Sequence, residues 1–162
     1  MSVTGRPRLS VAIIVLLLLV IVAMAWKFIV AGSTQKAPDG RTVVLLAPAE
    51  RALMLAEMRG FVAGLGRITD ALARDDMPAV AAESRALGTA KAHDVPVAML
   101  AKLPLDFKKL AFSVHGGFDA IARDAEAVHA SKHTLGQLSG VLTQCAACHE
   151  RYRVVSDEAA SR

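Results

Sequence analysis

Both cysteines of this chain lie within one helical turn of sequence, Cys145-Ala146-Ala147-Cys148, and His149 follows directly. Around them Leu135, Leu138, Leu142, Cys145, His149 and Tyr152 recur at alternating steps of three and four, the period of one helical face. On a helix, positions i, i+3 and i+4 point the same way, so Cys145, Cys148 and His149 are expected to project together toward a core. A tetrahedral zinc site would need a second pair of ligands. The chain has no further cysteine, and His129 and His133 would serve only by facing inward. A redox dithiol belongs at the start of a helix that follows a strand, which this sequence does not predict. A disulfide across one helical turn has poor geometry. Covalent haem needs only what is present: two thiols to add across the vinyl groups of a porphyrin and an adjacent imidazole for the iron.

The N-terminal segment bears on where that chemistry could occur. Leu9 to Ala25 is uncharged and apolar and follows Arg6 and Arg8, the pattern of a segment that enters the membrane-insertion machinery. Two outcomes stay open. As a single span it would run on through Trp26 to Ala31, with Lys27 snorkelling outward and Arg6 and Arg8 keeping the N-terminus in the cytoplasm. As a signal peptide it would be cleaved at Ala23-Met24-Ala25, leaving a soluble periplasmic protein. Either way the rest of the chain lies outside the cytoplasm, on the periplasmic side of a bacterial inner membrane.

The whole chain has 162 residues, enough for one domain beyond that segment. Its net charge of +4 is scattered, and aromatics are only 4% of residues, so neither a basic run nor a stacking platform for nucleic acid is present. Residues 1–31 are read as anchor or signal, 32–47 as a linker with a brief extended stretch at Thr42 to Leu46, 48–158 as the domain and 159–162 as a tail. The domain is expected to be all-α, an antiparallel four-helix bundle. Its first helix starts at Pro48, with Met54, Met58, Phe61, Leu65, Ile68 and Leu72 on one stripe. Gly60, Gly64 and Gly66 would each cost about 1 kcal/mol there, which suggests that something bulky approaches closely. A second helix runs from Pro78 to about Lys91, and an irregular crossover from His93 to Leu105 carries one turn near Ala98 to Ala101. A third begins at Asp106 as N-cap and carries Phe107, Leu110, Val114, Phe118, Ile121, Ala125 and Val128. The fourth holds the cysteines.

The Cys-x-x-Cys-His motif near the end of the last helix, its extension to Tyr152-Arg153 and a methionine on the first helix resemble the four-helix-bundle c-type cytochromes, the cytochrome c′ and c556 family. The resemblance covers about Pro48 to Val155. It implies one haem c per chain, thioethers at Cys145 and Cys148, His149 as the proximal iron ligand and Arg153 beside the proximal side one turn later. It also implies no enzymatic activity, membrane-associated or periplasmic redox partners, and pairing as a homodimer through helix faces.

The second axial position separates two functions. In c556-type proteins a methionine of the first helix fills it and the protein carries electrons. In cytochromes c′ an apolar residue stands there and the five-coordinate iron binds nitric oxide or carbon monoxide. The stretch "LAEMRGFVAGLGRI" resembles the former and places Met58 as sixth ligand. Met54, one turn earlier, is the rival, with Met99, Met77 and His115 behind it. Other catalytic patterns fail: Arg153 stands where H-E-x-x-H needs its second histidine, and Asp75 and Asp76 read as capping charge in a turn.

Overall fold

The structure, a computed structural model, describes residues 6–160. The chain is mostly helical with an apolar helix at its N-terminus, but it is not all-α. Strand β1 (Thr34–Lys36) pairs antiparallel with β2 (Thr42–Leu46), and β2 pairs in parallel with β3 (Tyr152–Ser156). Thr42 stands opposite Tyr152 and Val44 opposite Val154. The brief extended stretch expected at Thr42 to Leu46 is β2, while β1 and the pairing into a sheet were not expected of the linker, and Val43, Val44 and Leu46 are buried. The cause is non-local: a short β-branched run forms a strand only when another supplies its hydrogen bonds, and Tyr152–Ser156 comes from the opposite end of the domain.

Helix α1 (Arg6–Ala25) continues into the π-helical segment Trp26–Ala31. The stretch Leu9–Ala31 has a mean hydropathy of 3.0 and none of it is buried, so it is long and apolar enough to cross a membrane, as an anchor or a signal sequence would be. The side chains of Arg6 and Arg8, and the end of the expected tail at 159–162, lie outside the described residues.

Helix α2 (Pro48–Ala73) begins where Pro48 presets the helical φ and the Glu50 carboxylate accepts the Ala47 amide at 2.8 Å. Helix α3 (Met77–Ala86) is capped by Asp76, whose side chain accepts the Ala79 amide at 3.1 Å. It stops short of Lys91. A separate turn, α4 (Thr89–Ala92), follows because Asp119 takes the Thr89 amide at 3.1 Å and its hydroxyl at 2.6 Å, capping a new start. The turn expected in the crossover is α5 (Val97–Leu100). Helix α6 (Leu105–Ala127) follows Pro104, so Asp106 sits in its first turn rather than at its cap. Helix α7 (Ser131–Arg151) carries the cysteines, and α8 (Asp157–Ala160) follows β3.

Helix α3 packs against both α2 and α6, and α6 packs against α7. Ile68 and Leu72 of α2, Met77 and Val80 of α3, Phe118 and Ile121 of α6, and Leu138 and Val141 of α7 share one apolar core. Full burial of Phe118 or Ile121 contributes roughly 1.5–3 kcal/mol apiece. A second cluster, at the sheet end, joins Val44, Leu46, Met54, Met99, Leu103, Phe107 and Tyr152. At the opposite end the Ser131 hydroxyl donates to Asp75 at 2.6 Å and ties the start of α7 to the α2–α3 turn.

Candidate functional site

Helix α7 is rotated slightly from the expected face. Its buried residues are Thr134, Leu138 and Val141, and the row continues through half-buried Cys145 and Cys148 to buried Tyr152. Leu135 and Leu142, placed inward by the sequence reading, are 51% and 46% exposed, and His149 is exposed as well. The shift has a visible cause. Gln144 accepts the Ser113 hydroxyl at 2.8 Å and Gln137 donates to Asp124 at 2.7 Å, so polar contacts set the edge of α7 that faces α6. The apolar edge, Leu135, Leu142 and His149 at successive steps of seven, is thereby turned to the side away from α6. Among the described residues α2 and α7 make no contact as extensive as that between α6 and α7.

Cys145 and Cys148 are free thiols. Burial pushes both pKa values up, with each other's charge adding to the rise at Cys148. The thiols stay protonated at neutral pH, the reverse of a reactive dithiol, and they lie in the last turns of a helix, where the macrodipole disfavours a thiolate. The same dipole favours the basic residues His149 and Arg151 there. Cys145 packs against the helical core, while Cys148 packs against the sheet-end cluster. The motif therefore spans the seam between the two.

Met58 is half-buried and packs on the sheet-end cluster, the same one that Cys148 touches. Met54, Met77 and Met99 are buried at 5%, 4% and 0% exposure, enclosed by core residues. One turn beyond Met58, Phe61 stacks on Phe118 at 5.7 Å between ring centroids and lies 5.1 Å from the His115 ring. The His115 Nδ1 donates to the Leu87 carbonyl at 2.7 Å and its Nε2 lies 3.6 Å from the Glu57 carboxylate, so both ring nitrogens face protein acceptors. Burial lowers the His115 pKa, but Glu57 and the Leu87 carbonyl outweigh it and the net direction is up. Sequence reading did not single out Glu57. Its position four before Phe61, among apolar residues of the stripe, was the available signal.

Arg153 does not follow His149 by one helical turn. The helix ends at Arg151, and Arg153 lies on β3 with its guanidinium 3.8 Å from Asp39. The reason is the pairing of Val154 and Val155 with β2, which pulls the chain into an extended path from Tyr152 onward. Arg151, in the last helical turn, pairs with Asp106 at 3.0 Å instead. Tyr152 packs edge-on against Phe107 at 5.2 Å, as a structural residue. His129 lies before α7 with a positive φ of 52°, and His133 pairs with Asp124 at 3.0 Å. Among the described residues no group of three or more His, Cys, Asp or Glu side chains could hold a metal ion.

No protein-family model, no curated protein and no solved structure matches this chain. The donor set of the site is two reduced thiols, an exposed imidazole next to them and a thioether on a neighbouring apolar cluster. Leu135 and Leu142 form an exposed apolar edge beside them. Two thiols one helical turn apart with an imidazole next to the second are groups that could hold a covalently attached iron porphyrin. A cavity of about 310 Å³ lies elsewhere, lined by Val30, Lys36, Leu105, Asp106, Arg151 and Tyr152 among others, and Met58, Cys145, Cys148 and His149 do not line it.

Proposed function

We propose that this chain is a monohaem c-type cytochrome that carries electrons on the periplasmic side of a bacterial inner membrane, tethered by its N-terminal helix. In this reading α2, α3, α6 and α7 form an antiparallel four-helix bundle, and the protein is not an enzyme. The observation that carries the proposal is the pair of reduced, half-buried thiols at i and i+3 on α7, with His149 adjacent and Met58 on the cluster that Cys148 touches.

Each residue has a distinct task. Cys145 and Cys148, as free thiols, would hold the haem covalently through thioethers. His149 would ligate the iron through its imidazole. Met58 would be its second protein ligand, a soft thioether that favours the ferrous state and raises the potential. When bound, the haem supplies a one-electron centre. Leu135 and Leu142, exposed beside the motif, would offer the haem an apolar surface to cover. Because Arg153 lies on β3, a role for it beside His149 rests on the family resemblance alone.

The full chain, produced in cells that attach haem and extracted in detergent, tests this. The denatured protein should retain the haem mass, lose it when both cysteines are changed to Ala, and show low-spin spectra in both oxidation states. A polypeptide of unmodified mass overturns the proposal. The second reading, a five-coordinate haem protein that binds nitric oxide or carbon monoxide, is favoured by one observation: Met58 already packs against an apolar cluster, as a core methionine does. A high-spin ferric spectrum that responds to nitric oxide and is unchanged by Met58→Ala would establish it.

A further inference from the structure

The junction between the apolar N-terminal helix and the domain is built rather than loose. Gly32 closes the π-helical segment, its amide donating to the Lys27 carbonyl at 3.0 Å while the Lys27 amine reaches the Gly32 carbonyl at 2.8 Å. Gly32 has φ +65°, and a Cβ there would collide with the backbone of Lys102, Leu103 and Pro104, so only glycine lets the two segments meet. One residue on, the Ser33 amide donates to the Lys102 carbonyl at 2.7 Å, and the Ser33 carbonyl accepts the Leu45 amide at 2.8 Å. From the other side Lys108, in the first turns of α6, donates to the carbonyls of Phe28 and Ile29 at 3.1 Å each. These are carbonyls at the end of the apolar helix, which lack partners within a helix and would otherwise face the interface alone.

The elements that meet this junction include the end of the motif helix. Lys108 and Asp106 share the first turns of α6, Asp106 holds Arg151, and Arg151 lies two residues after His149. At a rise of about 1.5 Å per residue, that places His149 within roughly one turn of the α7 terminus. The turns at 74–76 and 128–130 lie at the opposite end, where Ser131 meets Asp75.

We propose that the N-terminal helix is a permanent and rigidly joined part of the molecule, and that it seats the domain on the lipid headgroups with the Cys148–His149 end of α7 toward the bilayer. The surface that contacts lipid is the sheet end: β1, the α5–α6 connection and the first turns of α6. This rests on the anchored form of the localisation reading. A cytochrome held this way presents its motif at membrane level, to a redox partner embedded in the same bilayer.

The test uses the full chain in vesicles of phosphatidylcholine and phosphatidylglycerol, with a photoreactive amino acid in place of Lys109, at the sheet end, or of His129, at the far end. Both positions are exposed. The intact mass should begin at the first residue, and lipid adducts should form at position 109 and not above background at position 129. Gly32→Ala, which forces a side chain into the Lys102 backbone, should reduce that contrast in the inserted chain. Equal capture at both positions of a full-length chain, or a contrast unaffected by Gly32→Ala, overturns the rigid seating and leaves the anchor standing. A mature chain that starts near Trp26 overturns both.

Discussion

Cys145 and Cys148 share one face of α7 yet pack against different apolar clusters, Cys145 against the four-helix core and Cys148 against the cluster beneath the sheet. A group bonded to both would bridge the two clusters. Met58 lies on the Cys148 side of that seam, whereas Phe61, one turn later, lies on the Cys145 side.

The rival methionines should separate by readout. Met54 is 5% exposed and Met58 only half-buried. Met54→Ala should lower stability by about 2–5 kcal/mol, the usual cost of emptying an enclosed methionine site, with the spectrum of the remaining folded protein unchanged. Met58→Ala should cost less in denaturant titration and, under the proposed haem ligation, convert a low-spin spectrum to high-spin. The opposite pattern would assign the sixth position to Met54.

Two glycines of α2, two residues apart, should respond with opposite sign. A Cβ at Gly64 would stand 2.6 Å from a methyl of Leu87, itself only 5% exposed, while one at Gly66 would meet nothing within 4 Å. Gly66→Ala should raise stability by about 0.5–1 kcal/mol through helix propensity. Gly64→Ala should forfeit that gain to overpacking of about 1–3 kcal/mol and melt at lower temperature. Thermal unfolding of the two variants side by side decides it.

Ser84 is completely buried in α3, and its hydroxyl has no hydrogen-bond partner. Ser84→Ala removes an unsatisfied polar group at little change in volume, and should raise stability by roughly 1 kcal/mol in chemical denaturation. A loss of similar size would mean that the hydroxyl is solvated in solution.

Acid should destabilise the domain through two identifiable carboxylates. The Lys102 hydrogen bond, against the opposing effect of burial and with help from the Ala47 amide, holds Glu50 below its ordinary pKa of 4.5. The Thr89 hydroxyl, again against burial and with the Thr89 amide, holds Asp119 below 3.8. Because the folded-state values are depressed, the stabilisation is complete above the unfolded values and is lost as pH falls through the folded ones. Unfolding temperature should therefore drop below about pH 4.5, and Glu50→Gln should flatten the upper part of that decline while lowering the plateau at neutral pH.

Short-range chemistry made much of the molecule legible. Pro48, Asp76 and the three-four spacing of Met54 to Leu72 and of Phe107 to Ala125 encode helices locally, because capping and amphipathic periodicity act within a few residues. The apolar run from Leu9 and the Cys-x-x-Cys-His spacing were equally plain, since each is a property of adjacent residues. The pairing of Thr42–Leu46 with Tyr152–Ser156 was not, because both strands are short and their partner lies across the whole domain. That pairing ended α7 at Arg151 and carried Arg153 onto a strand.

The sequence by itself determined the helices, the membrane-entry segment and the identity of the thiols, imidazole and thioethers available for chemistry. The tertiary structure decided which face those groups occupy. Polar contacts from Gln137 and Gln144 turned Leu135, Leu142 and His149 outward, and the backbone approach at Gly32 joined the apolar helix to the motif's end of the domain. Periodicity specifies a stripe to within about a residue, whereas its rotation about the helix axis depends on neighbours that only the folded chain brings into contact.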